Sequence, residues 1–150
     1  MRTIGYFIPL LIFISSLFSC SEKDEEQESK ICDEIVSIDT AIFQNRPDDD
    51  GTARNAFEIT NAEIQGDCLL ITIASGGCNG GTWKVDLVDA GSIAESYPIQ
   101  RTLKVFLDNT ELCNAIVSAT ISFDITPLRT NDSEIILNLQ KWDTRLRYTY

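Results

Sequence analysis

Residues 117–126 read Val-Ser-Ala-Thr-Ile-Ser-Phe-Asp-Ile-Thr, so apolar and polar side chains alternate along the whole stretch. Successive side chains of a β-strand point to opposite faces, and this pattern therefore predicts a strand with one buried and one solvated face. A strand of this kind is typical of an antiparallel sheet that covers a core on one side. Pro127 ends the pattern, because proline cannot donate to a strand ladder.

Similar patterns on both sides of this stretch predict further strands. Phe57–Ile64 and Leu69–Ile73 flank the short break Gln65-Gly66-Asp67, which is typical of a β-hairpin. The other predicted strands are Ile31–Ile38 continued by Ala41–Phe43, then Trp83–Leu87, Leu103–Leu107, Glu134–Leu139 and Trp142–Tyr150. About eight strands without a long helix predict an all-β fold. We expect an antiparallel β-sandwich, immunoglobulin-like or Greek-key, with a small β-barrel as the alternative.

The N-terminus has the order of a secretory signal. Arg2 precedes the apolar run Ile4–Phe18, and this run is shorter than the roughly 20 residues that a membrane span needs. Leu17-Phe18-Ser19-Cys20 resembles the lipobox of bacterial lipoproteins, with Phe18 where a smaller residue is usual. The resemblance implies cleavage before Cys20 and acylation of Cys20, for example with palmitate. The alternative is an ordinary signal peptide that leaves Cys20 as a free thiol.

The predicted domain organisation follows from this. Residues 1–19 are the signal peptide, residues 20–30 are the lipidated cysteine and a flexible acidic tether, and residues 31–150 form one domain. Lys23-Asp24-Glu25-Glu26 is similar to the acidic export signal of Bacteroidetes-type lipoproteins. The resemblance implies a lipid anchor in the outer membrane and exposure at the cell surface. The alternative is a position that faces the periplasm.

The charge balance narrows the choice of partners. The chain has 23 acidic and 12 basic residues, a net charge of −11, and removal of residues 1–19 deletes only one of these, Arg2, which gives −12. Nucleic acids and anionic lipid head groups attract basic surfaces, so neither is expected as a partner. The expected partners are the membrane, through the lipid anchor at Cys20, and an envelope protein or a glycan.

Four cysteines remain once Cys20 is acylated: Cys32, Cys68, Cys78 and Cys113. An even set in an exported chain predicts disulfides. Three pairings are possible and the spacing does not decide between them. We favour Cys32 with Cys68 and Cys78 with Cys113. No Cys-x-x-Cys pair is present, which argues against a zinc site.

The stretch Ser75–Thr82 contains four glycines in eight residues. It is not a phosphate-binding loop, because it lacks the Gly-Lys-Ser/Thr ending, the Gly-x-Gly-x-x-Gly spacing and a following helical pattern. We expect these glycines to turn the chain and to let Cys78 reach its partner. The alternative is a binding rim on this loop at Asn79 and Gly80.

The chain has no histidine, which excludes Ser-His-Asp and Cys-His catalysis and the usual catalytic zinc sites. Asp48-Asp49-Asp50-Gly51 invites a calcium interpretation, but the twelfth position counted from Asp48 is Ile59 where an EF-hand needs Glu. An irregular calcium site and a plain acidic turn both stay open. We expect no metal and no cofactor. We expect that the protein is not an enzyme. The alternative is a hydrolase that uses paired carboxylates.

These features together predict a non-catalytic binding or accessory module of the outer membrane. The alternative is a glycan- or peptide-binding platform of exposed aromatic residues, for which Trp142 and Tyr97 are the main candidates. Trp83 and Tyr148 have the phase of core residues. The lipobox, the acidic tether, the Gly-Gly-Cys stretch and the late Phe-Asp-Ile-Thr-Pro-Leu run resemble small β-rich lipoproteins of flavobacterial type. That group has no assigned biochemical function.

Overall fold

The computed structural model describes residues 31–47, 55–94 and 96–150, and its regular structure is almost entirely β. The strands are β1 Glu34–Ile35, β2 Ser37–Ile38, β3 Phe57–Gln65, β4 Cys68–Gly77, β5 Lys84–Ala94, β6 Ile99–Asp108, β7 Ala115–Asp124, β8 Glu134–Leu139 and β9 Leu146–Thr149. Helix α1 covers Thr40–Asn45, and a 3-10 helix covers Thr126–Leu128.

The strands form two open sheets, so the predicted β-sandwich is confirmed and the alternative of a small barrel is not what the described residues form. Sheet A has the order β1-β7-β4-β3, and sheet B has the order β2-β5-β6-β8-β9. Most neighbouring strands are antiparallel, but β1 with β7, β2 with β5 and β6 with β8 are parallel. The predicted hairpin is the β3–β4 pair, in which Gln65 lies opposite Cys68.

The core lies between the two sheets and is built from the alternating apolar residues of their strands. In β7 the predicted inward residue Phe123 is fully buried opposite the buried Leu69, and Ile71 and Ile73 of β4 are buried opposite Ile121 and Ala119. Sheet B contributes Leu87, Leu103, Val105, Ile135, Leu137 and Tyr148. Burial of each large apolar side chain stabilises the fold by about 1.5–3 kcal/mol.

The first strand differs from the sequence prediction. Val36 is buried between β1, which pairs with β7 in sheet A, and β2, which pairs with β5 in sheet B. Ala41–Phe43, predicted as strand, belongs to helix α1. The Asp39 carboxylate caps this helix by accepting a hydrogen bond from the Ile42 backbone N–H at 2.8 Å. Such a short apolar run does not reveal its period, and the local cap decides for helix.

Two further boundaries also differ. Gly76 and Gly77, predicted as part of a turn, are the end of β4. Residues 90–94, beyond the predicted strand Trp83–Leu87, continue β5 after a register shift between Asp89 and Ile93. Gly91 has a φ of +70° in this irregular segment, a conformation that glycine adopts without steric cost. Gly91 therefore marks a bulge in β5.

Several predictions concern parts of the chain outside the described residues. These are the signal peptide, Cys20 with the acidic tether, and the acidic loop at Asp48–Asp50. Among the described residues, no helix is long and apolar enough to cross a membrane.

Candidate functional site

The glycine-rich loop closes around a single carboxylate. Between the end of β4 and the start of β5, the backbone N–H groups of Cys78, Asn79 and Gly80 all donate to Glu111 Oε2, from Asn79 and Gly80 at 3.1 Å. Thr82 donates to Glu111 Oε1 through its backbone N–H at 3.4 Å and its hydroxyl at 3.3 Å. Successive backbone N–H groups that converge in this way form an anion site, and here the chain fills that site itself.

These donors control the ionisation of Glu111, a residue that is only 8% exposed. Burial raises the pKa of the Glu111 carboxyl, but the backbone donors of Gly80, Cys78, Asn79 and Thr82 outweigh this and lower the pKa to about 2. Glu111 is therefore ionised at neutral pH and acts as an acceptor for the loop. No proton is available on it for acid catalysis.

Asn109 and Gly77 make this arrangement possible. The Asn109 amide oxygen accepts from the Glu111 backbone N–H at 2.9 Å, and its amide nitrogen donates to the Gly76 carbonyl at 2.6 Å. A Cβ atom on Gly77 would lie 2.5 Å from Glu111 Oε2, so this position has no room for a side chain. The Cys78–Cys113 disulfide joins the same two segments. The loop is thus fixed by a covalent bond and by a buried carboxylate.

Both disulfides favoured from the sequence are formed. Cys32 is bonded to Cys68 with a Cα–Cα distance of 5.7 Å, and Cys78 to Cys113 with 4.9 Å. The first ties the N-terminal segment to β4, and the second ties the glycine-rich loop to the segment between β6 and β7. The predicted role of the loop glycines, access of Cys78 to its partner, agrees with this geometry.

A cleft of about 610 Å³ opens beside this loop, between the edge of β5 and the edge of β7. Its lining residues are Asp33, Glu34, Gly80, Trp83, Lys84, Val85, Asp86, Ala119, Thr120 and Ile121. The Trp83 ring lies under the loop, within van der Waals distance of the Gly80 position, and packs against the core. We call this groove the β5–β7 cleft.

Two of the three carboxylates at the cleft, Asp33 and Asp86, are held by structural partners. Asp33 Oδ2 accepts from the Ser122 backbone N–H at 3.0 Å and from the Ser122 hydroxyl at 2.6 Å. Asp86 forms an ion pair with Arg46 at 2.6 Å, and Arg46 also lies over the Phe106 ring. Within the described part of the chain, no group of three His, Cys, Asp or Glu side chains could hold a metal ion. Asp33 and Asp86 therefore act as hydrogen-bond and ion-pair partners within the protein.

The structure does not bring the binding residues predicted from sequence together. Asn79 and Gly80 lie in the glycine-rich loop before β5, and their backbone N–H groups are used by Glu111. Tyr97 follows β5 at the opposite end of the sandwich, where it is 89 % exposed beside a cis bond to Pro98. Trp142 is half-buried and packs against the core after β8. Gly80 alone among the four lines the β5–β7 cleft.

Sequence reasoning missed a buried ion pair and a second, partly exposed polar cluster around the buried Tyr148. Asp89 and Arg101 form a two-point ion pair inside the sandwich, with distances of 2.8 and 3.0 Å. At one end, Asp67 accepts a hydrogen bond from Tyr148 at 2.7 Å, and Arg129 donates to both residues. Burial, followed by the bond to Asp67, raises the pKa of Tyr148 to about 12. Acidic residues in turns and bulges carry no sequence mark that they will find a buried partner.

Comparison with known proteins names no family for this chain. No family model matches it, and no curated protein matches it. Two solved structures are similar at low sequence identity. One is from Parabacteroides distasonis and carries the description "Putative TOXIN related protein", with 16% identity, a TM-score of 0.46 and coverage of 77% of this chain and 60% of that one. The other, from Bacteroides vulgatus, is described as a protein of unknown function DUF1344, with 17% identity, a TM-score of 0.42 and coverage of 69% and 52%. This chain thus spans less than two thirds of either protein.

Proposed function

We propose that this chain is a lipid-anchored, non-catalytic binding module of the outer membrane, exposed at the cell surface, and that the β5–β7 cleft is its binding surface. The observation that supports binding is the cleft itself, an open groove of about 610 Å³ beside a half-buried tryptophan. Grooves of this size with an aromatic wall and a few polar groups are typical of ligand sites.

Both rims of the cleft are fixed before any partner arrives. The loop rim is fixed by the hydrogen bonds to Glu111 and by the Cys78–Cys113 disulfide. The N-terminal rim is fixed by the bonds between Asp33 and Ser122 and by the Cys32–Cys68 disulfide. A surface that is already ordered loses little conformational entropy on binding, which favours affinity.

The lipid anchor and the surface position are supported by the sequence. The lipobox ends at Cys20, and the acidic residues that follow it are similar to a surface-export signal. Several acyl chains hold a protein stably in a membrane at about 0.8 kcal/mol for each buried methylene. The ten residues 21–30 can span at most about 35 Å, so the domain would remain close to the membrane that holds the anchor.

An envelope protein is the partner that we propose, and an accessory role within a larger envelope complex is the function. The alternative glycan platform relied on Trp142 and Tyr97, which lie apart from one another and outside the cleft. A carboxylate-based hydrolase has less support, because Asp33 and Asp86 are both engaged at the cleft and the chain has no histidine.

Site-specific photo-crosslinking in living cells tests the binding proposal. We would place a photoreactive residue by the substitution Thr120→p-benzoylphenylalanine in the cleft, and by Thr149→p-benzoylphenylalanine on β9 as the matched control. Both threonines are exposed, but only Thr120 lines the cleft. We expect a reproducible protein adduct from position 120 and none from position 149. No adduct from position 120, or the same adducts from both positions, would contradict the proposal.

A separate experiment tests anchoring and display. Cells that are fed an alkyne-tagged palmitate should label the wild-type chain and should not label the Cys20→Ala variant. Protease added to intact cells should remove the domain while a periplasmic control protein stays intact. Labelling that persists in Cys20→Ala would exclude the anchor, and protection of the domain until the outer membrane is broken would place it in the periplasm.

A further inference from the structure

We propose that the free edge of β7 over Ala115–Ile121 binds an extended, non-acidic peptide segment as an added β-strand, and that one face of this segment lies in the β5–β7 cleft. The inference rests on the binding function proposed above, and it names the class of partner. Three observations support it: a β7 edge with which no described strand pairs, the position of Cys32 in the first disulfide, and the charges at the cleft.

Among the residues that the structure describes, the edge of β7 is covered only at its end. β1 is the last strand of sheet A, and it pairs with β7 through Glu34 opposite Phe123 and Ile35 opposite Asp124. On this side the Asp124 carbonyl accepts from Val36, and the Ser122 N–H donates to the Asp33 carboxylate. Peptide groups of alternate residues in a strand face the same side. Three earlier residues therefore present both N–H and C=O groups to this edge, and no described strand pairs with them: Ile116, Ser118 and Thr120.

The first disulfide keeps the chain from covering this edge. β1 runs parallel to β7, so a straight extension of β1 toward the N-terminus would run beside residues 115–121. Cys32, however, is bonded to Cys68, which lies on β4 at the other side of β7 and opposite Asp124. The bond places Cys32 beside β4 rather than beside the edge. Within the described residues, the crosslink therefore leaves the edge at residues 115–121 uncovered.

This edge also lacks the features that protect two other edge strands, β3 of sheet A and β9 of sheet B. Residues 115–123 contain no charged residue, no proline and no glycine, and β7 pairs with β4 without a register shift. β3, at the opposite edge of sheet A, carries Glu58 and Glu63 and has a register shift after Ile59. β9, the edge of sheet B, has four residues and includes Arg147. Proteins use charges, bulges and short strands to prevent pairing at edges, so a straight and uncharged edge is suited to accept a strand.

The cleft defines the chemistry of the added strand. Seven residues of β7 are about 24 Å long, enough for a peptide of similar length. Asp33 and Glu34 line the β1 end of the cleft and make that end acidic, whereas the cations Lys84 and Arg46 lie at β5, where Arg46 pairs with the third carboxylate, Asp86. The net charge of the chain is −11, which disfavours an acidic partner and also a second copy of this chain. An uncharged or basic segment with small apolar residues toward Gly80 and a lysine or arginine near Glu34 fits best.

The test measures binding of two peptides to the mature protein as the cell processes it. The probe is acetyl-Lys-Thr-Val-Thr-Val-Thr-Val-Lys-amide, and the comparison peptide has glutamate in place of both lysines. We expect the lysine peptide to bind, the glutamate peptide to bind at least about tenfold more weakly at low salt, and this difference to shrink at high salt. In addition, the three edge amides should become protected from hydrogen exchange when the lysine peptide binds.

A matched pair of variants tests the role of the backbone. Ser118→Pro removes the central edge N–H without removing a bond to β4, and proline is tolerated on strand edges. Ser118→Ala removes the same hydroxyl but keeps the N–H. Ser118→Pro should weaken peptide binding about tenfold or more, whereas Ser118→Ala should change it less than about twofold.

Three results would overturn the strand-addition proposal. The first is no protection of residues 116, 118 and 120 on addition of the lysine peptide to the wild-type protein, which needs no variant to fold. The second is an equal loss of binding in Ser118→Pro and Ser118→Ala. The third is a concentration-dependent dimer that Ser118→Pro abolishes, since the occupant would then be a second copy. A crosslinked partner at position 120 without peptide binding would leave the broader binding function standing, whereas failure of both would remove both proposals.

Discussion

The buried ion pair between Asp89 and Arg101 gives a quantitative prediction about stability. The Asp89 side chain is 0% exposed and that of Arg101 is 7% exposed. Two hydrogen bonds from Arg101, at 2.8 and 3.0 Å, and one from the Gly91 backbone N–H, at 2.7 Å, satisfy this carboxylate. Arg101→Met would keep most of the side-chain volume but would leave Asp89 with one donor and no counter-charge.

Removal of one partner from a buried pair costs about 3–5 kcal/mol, because the other charge stays buried and unpaired. At a urea slope of about 2 kcal/mol/M, a loss of about 4 kcal/mol lowers the unfolding midpoint by about 2 M. The assay is urea unfolding of wild type and variant at pH 7, with the disulfides intact. The slope should stay constant if both unfold in one step.

Arg147→Met is the matched control. Arg147 pairs with Glu134 at 2.6 Å, but its side chain is 60% exposed, so this pair contributes at most about 1 kcal/mol. The double variant Asp89→Leu with Arg101→Met should recover much of the loss, since it leaves no buried charge. A loss in Arg101→Met as small as that in Arg147→Met would show that Asp89 is solvated, and it would refute the reasoning.

Three other predictions concern the glycine-rich loop. Because the pKa of Glu111 falls from 4.5 to about 2 on folding, its stabilisation is complete above pH 4.5 and is lost as the pH falls toward 2; acid unfolding should show this loss in wild type and not in Glu111→Gln. The double variant Cys78→Ala with Cys113→Ala opens a crosslink over 35 residues and should lose about 4 kcal/mol in urea unfolding, and a loss below about 1 kcal/mol would contradict this. Gly77→Ala should lower the thermal midpoint, because the added Cβ would clash with Glu111 at a cost of about 1–3 kcal/mol. The control Gly76→Ala, whose Cβ would meet nothing within 4 Å, should change stability by less than about 0.5 kcal/mol. Equal effects of the two substitutions would contradict the clash.

Regular alternation was enough to predict the strands that form the core. Val117–Ile125 has a period of two with inward residues of increasing burial, and β4, β6 and β8 show the same pattern. A period can be recognised only over several residues, which is why the two-residue strands β1 and β2 and the six-residue helix α1 were not predicted correctly. The register shift at Gly91 was not predicted, because a glycine is as typical of a connection as of a bulge.

Contacts between distant residues explain what the sequence did not reveal about the candidate site. The composition of the glycine-rich loop was noticeable in the sequence. Glu111, which accepts the hydrogen bonds of this loop, lies 29 residues after Thr82 and 33 residues after Cys78. The β5–β7 cleft depends on how β1 ends beside Phe123 and on where the first disulfide pulls the N-terminal segment. The aromatic candidates Trp142 and Tyr97 were chosen by residue type alone, and the topology separates them.

Hydrogen exchange of individual backbone amides in the free mature protein tests most directly whether the chain leaves the β7 edge open. We expect fast and slow amide exchange to alternate from residue to residue along this strand. The amides of Val117, Ala119 and Ile121 bond to β4 and should exchange slowly, whereas those of Ile116, Ser118 and Thr120 face the open edge and should exchange fast. Uniformly slow exchange over residues 116–121 would mean that the edge is already covered, and it would contradict the proposed binding surface.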